Sequence, residues 1–334
     1  MNDSKIFEVD YFFSAKIMRQ LNLKETSNVF LAESKNLLKK IGDNHVYDLV
    51  IIGTAHRYFN IFLKISSHYK TSIVVHNVNF SQLKRRRLFF NVFKKECIFR
   101  LKLLFFEGLL SKNKLHKDAN NLFILDENLN IAKDQFTYLP IFYTAQIEEE
   151  INPDISIVIP GSVSQSRRNY REVLKKLEVF GKNNSKKYPK VEIVFLGKAQ
   201  NEELNWLIKF EKNNFENLKI VYFKEKVSQI DFDFYMHSAT FLWCPLQIST
   251  EFFSNKEFYN DTKMSGIVGD AIKYQKIAFL PKEFSRNYPF ILNNEGELED
   301  QISTFYNLKQ KKYFAAFEKA KVLKDLENTL ENLF

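Results

Sequence analysis

Two turns rich in small and basic residues carry the clearest chemistry in this sequence. In the first, ISIVIPGSVSQSRRNYREVLKKL, an apolar run ends in Pro160-Gly161, a serine-rich turn begins at Ser162, and Arg167-Arg168 stand where a helix should open. Backbone N–H groups near Gly161, the positive end of a helix dipole and a bidentate guanidinium together suit a phosphate oxygen. The same pattern also fits a plain strand-to-helix connection with solvated arginines. In the second, FYNDTKMSGIVGDAIKYQKIAFLP, a polar run from Asn260 to Ser265 precedes Gly266 and a helix bearing Asp270. Thr262 or Ser265 would cap that helix, and Gly266 would let a ligand approach its N-terminus.

Two histidines offer acid–base chemistry. His56 in IIGTAHRYF and His76 in IVVHNVNF each follow an apolar run, and the C-terminal ends of strands face the ligand crevice in open α/β sheets. Each is a candidate catalytic base, set against the plainer reading of a loop histidine held by a hydrogen bond. His45, His68 and His116 fall in polar, loop-like or surface-helix contexts and carry no such signal. The sequence has no Walker loop, no G-x-G-x-x-G after a strand, no H-E-x-x-H and no G-x-S-x-G, so ATPase, dehydrogenase and hydrolase readings lose support. Cys97 and Cys244 lie far apart in apolar surroundings, which indicates neither a disulfide framework nor a zinc site. No metal and no cofactor are expected.

The elements that must position these residues show as short apolar runs alternating with longer helical patterns. Strands are expected at 46–53, 71–77, 121–126, 156–161, 191–197, 218–223, 239–246 and 276–281, and helices at 167–181, 201–214, 227–237, 265–274 and 310–331. Runs so uniformly apolar belong to parallel strands covered by helices on both faces, so the fold class is α/β. A length of 334 residues suits two domains. The segment 137–154, with two prolines and an acidic cluster, is the expected hinge. The expected division is an N-terminal α/β domain over 1–148, a second over 149–310, and a C-terminal helix over 311–334 that packs back on the first.

The stretch 84–110, KRRRLFFNVFKKECIFRLKLLFFEGLL, holds eight basic residues among large apolar ones and reads as one helix. Leu88, Val92, Phe99, Leu103 and Phe106 project to one side, while Phe90, Phe93, Cys97, Leu101 and Leu104 project to the other. A helix on a soluble domain needs one apolar face. The second must meet another helix, a partner or a membrane surface. The net charge of +9 favours anionic partners, which could be a nucleotide diphosphate, an anionic bilayer or nucleic acid. No nucleic-acid recognition motif accompanies that charge. The first residues, MNDSKIFEVD, lack a basic stretch followed by an apolar run, and no stretch reaches 18 uncharged apolar residues. A cytoplasmic protein is expected, at most peripheral at the inner face of the membrane.

The order of the two turns, with VEIVFLGKA and VSQIDFDFYMHSATFLWCPLQ between them, resembles the C-terminal domain of GT-B glycosyltransferases, most closely the family-four type. In that pattern an apolar run, a glycine and a polar loop lead to a basic residue, as Gly161 and Arg167-Arg168 do here. The next strand ends in a glycine, as at Gly197 with Lys198 after it. A helix then leads to an apolar strand ending in proline, as with Tyr235, His237, Ala239 and Pro245. An acidic residue, a Ser-Gly step, a second acidic residue with Ala and a final Pro would be matched by Thr262, Ser265-Gly266, Asp270-Ala271 and Pro281. The resemblance spans roughly 150–285 and departs twice. The first acidic position is Thr262, unless Asp261 substitutes, and Ser162 stands where an arginine commonly follows the glycine.

The resemblance implies two Rossmann-like domains facing across a cleft. It further implies metal-independent transfer of a hexose from a nucleotide-diphosphate sugar to a saccharide or lipid-linked acceptor, in surface-glycan synthesis. Gly161, Ser162, Arg167, Arg168, Gly197, Lys198, Val227, Thr262, Ser265, Gly266 and Asp270 would then bind the donor, with the base or ribose near Val227 and Asp270. The group that activates the acceptor would come from residues 1–150, where His76 and His56 are the candidates. Two alternatives share the architecture: a nucleotide-sugar epimerase, and a catalytically inactive GT-B module that serves as partner of another glycosyltransferase. The non-acidic Thr262 and the +9 charge motivate the second.

Overall fold

A computed structural model describes residues 3–129, 131, 134–145, 154–183, 190–284, 288–308 and 313–334. The chain divides into two compact units. Unit 1 comprises 1–141, 249–264 and 322–334, and unit 2 comprises 142–248 and 265–321. The chain therefore changes unit at 141/142 rather than at 148, and the segment 249–264, expected in the second domain, belongs to the first. Of the expected hinge, residues 146–153 lie outside the described residues.

Unit 2 is built on a six-stranded, wholly parallel sheet in the order 291–293, 278–280, 241–243, 155–160, 191–198, 218–223. This is the Rossmann order, in which the chain leaves the first strand to one side for two strands and then returns to its other side. The central strands are apolar on both faces because helices cover both. Ile157, Val158, Ile159, Ile193, Val194 and Phe195 are all fully buried. The helix Tyr170–Asn183 buries Tyr170, Val173, Leu177 and Phe180, a 3.6-residue stripe that fixes which face meets the sheet.

Unit 1 has a four-stranded parallel sheet, 50–52, 71–74, 121–124 and 137–138, paired in chain order. A separate two-stranded parallel pair, Tyr11–Phe13 with Val29–Leu31, had no signal in the sequence because each strand is only three residues long. From the C-terminal helix, Leu326 and Leu330 pack with Val74, Phe123 and Leu139 of the sheet region. The inserted segment forms an antiparallel hairpin, Ser249–Phe252 with Asn255–Phe258. Its two turn residues, Phe253 and Ser254, both adopt φ near +50°, the geometry of a two-residue turn that glycine or asparagine normally fills.

The stretch 84–110 is two helices, not one: Arg85–Val92 and Cys97–Phe106. The break falls where Glu96 takes φ +48°, and it redirects the second helix so that the faces projected from a single straight helix do not hold. Leu88, Val92 and Leu103 are buried in the core of unit 1, whereas Phe99 and Phe106, expected on their side, are exposed. The inner faces of both helices also hold the hairpin tip. Buried Asn91 donates its amide to the Phe253 carbonyl at 3.0 Å. Buried Arg100 donates to the Asn91 carbonyl and to Ser254 Oγ, both at 2.6 Å, and lies 4.5 Å over the Phe253 ring. These bonds offset the cost of two left-handed non-glycine residues, about 1–2 kcal/mol each.

Candidate functional site

In unit 2 the strand 155–160 is flanked by 191–198 on one side and 241–243 on the other, so the topological switch point lies at its C-terminal end. Gly161 sits there with φ +94°. Its N–H donates to the Leu196 carbonyl at 3.0 Å, and the Val163 N–H donates to the Lys198 carbonyl at 3.1 Å. The Gly161 N–H thus ties the turn to the neighbouring strand. Gly197 is needed for the same contact, since a Cβ there would meet the Gly161 carbonyl and come within 2.8 Å of the Ser162 nitrogen. Its role is close approach of two backbones.

The helix expected to open at Arg167-Arg168 begins instead at Tyr170. The two arginines run beside Leu246: Arg168 bridges to it, the Arg167 carbonyl accepts from the Gln247 N–H at 3.0 Å, and the Asn169 N–H donates to the Pro245 carbonyl at 2.8 Å. This pairing turns Arg168 inward and leaves Arg167 exposed. The Arg168 guanidinium folds back over Gly161, with Nη2 2.8 Å from where a Cβ would stand. The φ of +94° favours glycine here, and a Cβ would force the guanidinium to shift. Arg168 Nε is buried and has no hydrogen-bond partner.

Facing this charge is Asp270, on the helix Gly266–Tyr274. Burial pushes its carboxyl up to about 6, and the charges of Arg168 and then Lys273 only partly oppose that. Ser265 caps this helix, accepting from the Ile267 N–H at 3.4 Å. A Cβ at Gly266 would meet nothing within 4 Å, so the helix start is open to a ligand. Gly161, Arg168, Gly197 and Asp270 thus form one group at the switch point. Ser162 is exposed on the same turn. Lys198 ends its strand but is exposed and pairs with Glu225 at 3.6 Å, and Val227 is half-buried in the loop after the outermost strand. Thr262 lies in unit 1. There its hydroxyl accepts from the Phe258 N–H at 2.9 Å and the Asn79 amide at 3.3 Å, while its carbonyl accepts from the Val78 N–H at 2.9 Å.

Unit 1 carries both candidate histidines, His56 and His76. His76 Nε2 lies 2.8 Å from the Gly53 carbonyl, which can only accept, so the proton is on Nε2 and Nδ1 keeps its lone pair. Lys263 donates to Asn77 Oδ1 at 2.5 Å. That fixes the Asn77 amide so that Nδ2 faces His56 Nε2 at 3.2 Å, and the His56 proton must be on Nδ1. The two rings, 6.1 Å apart, therefore hold opposite tautomers. Burial pushes His56 down to about 4, helped by His76 and Lys263, and lowers His76 as well, with Lys263 adding to the shift against the raising effect of the Gly53 bond. Both are neutral at pH 7. His56 is walled by Phe252 at 4.5 Å and Phe80 at 6.1 Å, whereas His76 has Thr54 Oγ1 at 3.3 Å. Of the two, His76 is the ring with a hydroxyl rather than phenylalanine rings at its side.

What positions His76 and Asn77 is the four-residue helix Val78–Ser81 that follows them. Glu257 accepts from the Asn79 and Phe80 N–H groups at 3.2 and 2.7 Å, and fully buried Lys112 donates to the carbonyls of Phe80, Ser81 and Leu83 at 2.8, 2.8 and 3.0 Å. The short helix is thus held at both ends by charge. Asn77 and Lys263 escaped the sequence reading. Asn77 stands beside His76 in IVVHNVNF, but Lys263 is 186 residues away and enters the site only because the hairpin segment returns to unit 1.

No family model matches the chain and no curated protein matches its sequence. Solved structures do match in fold. A glycosyltransferase from Rickettsia africae ESF-5 superposes with a TM-score of 0.54 over 97% of this chain and 90% of that one, at 12% identity. The UDP-GlcNAc 2-epimerase from Methanocaldococcus jannaschii gives 0.50 over 96% and 91%, at 9% identity. The fold is of the GT-B class, with two Rossmann-like α/β units.

Proposed function

We propose that this chain is a glycosyltransferase of the family-four kind that moves a hexose from a nucleotide-diphosphate sugar to the hydroxyl of a saccharide or lipid-linked acceptor in surface-glycan synthesis. The observation that carries the reading is Arg168, an inward-turned guanidinium with an unpartnered buried Nε, folded over a glycine at the switch point of a Rossmann sheet. As the glycosidic bond to phosphate breaks, negative charge grows on the leaving diphosphate. Arg168 and the open helix start at Gly266 offset that charge in place of a metal ion. Asp270 would bind the donor's ribose or sugar hydroxyls. In unit 1, neutral His76 keeps the lone pair on Nδ1 with which to take the acceptor's proton, and the Gly53 carbonyl holds the ring in that tautomer.

The test is titration with a panel of nucleoside diphosphates and their sugars, read by thermal shift and calorimetry. At least one should bind wild type, and Arg168→Ala should weaken it about tenfold or more, the worth of a charge-assisted bidentate contact. A panel in which nothing binds or raises the melting temperature overturns the reading. The fold likeness to an epimerase supports a second reading, nucleotide-sugar epimerisation. Product analysis without acceptor separates the two, since an epimerised nucleotide sugar would appear there and a transferred sugar would not.

A further inference from the structure

The helices Arg85–Val92 and Cys97–Phe106 bury one face each and present a second that no described residue covers. On the second helix, Ile98, Phe105 and Phe106 are 88%, 73% and 76% exposed. At about 100° per residue they fall on one outward arc with exposed Lys102 in its midst. On the first helix the exposed residues read around the axis as Arg85, Phe89, Arg86, Phe90, Arg87, cation and ring in alternation. An outward helix face on a soluble domain is normally polar. Here it is aromatic and basic, and the nearby carboxylates are paired at its edge, Glu251 with Lys95 at 2.8 Å and Glu96 with buried Arg100 at 4.0 Å.

We infer that these two helices form a docking surface for an anionic lipid bilayer, with the rings entering the headgroup and acyl boundary and the arginines meeting lipid phosphates. Three features select a bilayer over a protein. The cores of protein interfaces are depleted of charge, whereas here every exposed ring of the first helix has a cation beside it. The charge is of one sign across both helices, which matches an anionic leaflet. The exposed rings and Ile98 stand outward from the two helices, and a fluid interface accepts protruding side chains where a rigid partner would need a matching groove. No described helix is long and apolar enough to cross a membrane, so the contact is interfacial. This inference stands apart from the sugar-transfer reading, because its readout requires no substrate.

The experiment is co-sedimentation of the full chain with neutral phosphatidylcholine vesicles and with vesicles containing about one third phosphatidylglycerol. Wild type should bind the anionic vesicles at least tenfold better, and about 0.5 M salt should remove most of that preference. The variants Ile98→Ser/Phe105→Ser/Phe106→Ser and Arg85→Glu/Arg86→Glu/Arg87→Glu should each lose about tenfold or more of the binding. Their melting temperatures should stay at the wild-type value, since the altered side chains are exposed. Equal binding to both vesicles, or to neither, overturns the inference. So does a concentration-dependent dimer in light scattering that the triple serine variant abolishes, which would assign the face to a second copy of the chain.

Discussion

Both units are parallel α/β sheets, yet they are held together by different means. Unit 2 is packed almost wholly by apolar strands and amphipathic helices. The charged residues buried as a whole among the described residues, Arg100, Glu107, Lys112, Asp126 and Glu257, belong to unit 1, whereas in unit 2 Arg168 and Asp270 are buried only in part. There they satisfy polar groups that regular structure leaves open: the Asn91 carbonyl and Ser254 Oγ at the hairpin tip, both ends of the helix at 78–81, and the left-handed Tyr58, whose N–H donates to Glu107 at 3.2 Å. The difference teaches that a Rossmann sheet can be specified by hydrophobic pattern alone. A short, irregular sheet carrying an insertion needs individually placed polar contacts instead.

The largest expected effect sharpens the division of chemistry. His76→Ala should lower kcat for sugar transfer by about 10²–10⁴-fold while leaving donor affinity unchanged. Arg168→Ala should weaken donor binding first. Loss of donor affinity on changing His76 would break the proposed assignment of roles. Next in size, Gly197→Ala should cost unit 2 about 2–3 kcal/mol, because the new Cβ meets backbone that cannot step aside. Both tryptophans, Trp206 and Trp243, lie in unit 2, so the shift in a denaturation midpoint read by tryptophan fluorescence measures it there. Arg100→Met should destabilise unit 1 by about 2 kcal/mol, by leaving the Asn91 carbonyl and Ser254 Oγ without their donor. Faster hydrogen exchange over 249–258 is the readout.

Acid should then separate the units. His56, His76 and His116 all titrate below the ordinary histidine value because they are partly buried, His56 and His116 near 4. Between pH 6.5 and 4 the unfolded chain binds these protons and the folded unit does not, so unit 1 loses stability as the pH falls through that window. Asp270 behaves oppositely. Its folded value near 6 exceeds the unfolded one, so the folded state binds the proton first and unit 2 gains as the pH falls towards 4. Far-UV circular dichroism should therefore fall on acidification before tryptophan fluorescence changes. Coincident transitions would contradict the contrast. The smallest effect is expected for Asp270→Asn, which should raise the melting temperature at pH 8 and lose that advantage near pH 4.

The sequence reading was sharpest where one physical rule acts alone. In unit 2 the apolar runs located the strands, and the 3.6-residue stripe at Tyr170, Val173, Leu177 and Phe180 located a helix to within three residues at its start. It failed at Arg167-Arg168, because a β-bridge to Leu246 outcompetes the helix there, and nothing local to those residues announces a partner 78 positions on. It failed again at 84–110, where Glu96 breaks a pattern that looks continuously helical.

The sequence by itself determined the α/β class, the switch-point glycine turn, and the two histidines at strand ends, because each rests on periodicity or on residues adjacent in the chain. Only the tertiary structure decided that Gly161 makes room for a guanidinium and that Thr262 and Lys263 serve unit 1. It alone set which nitrogen of each imidazole carries its proton. Those outcomes depend on contacts between residues far apart in sequence, whose partners are chosen by how the chain returns to each sheet.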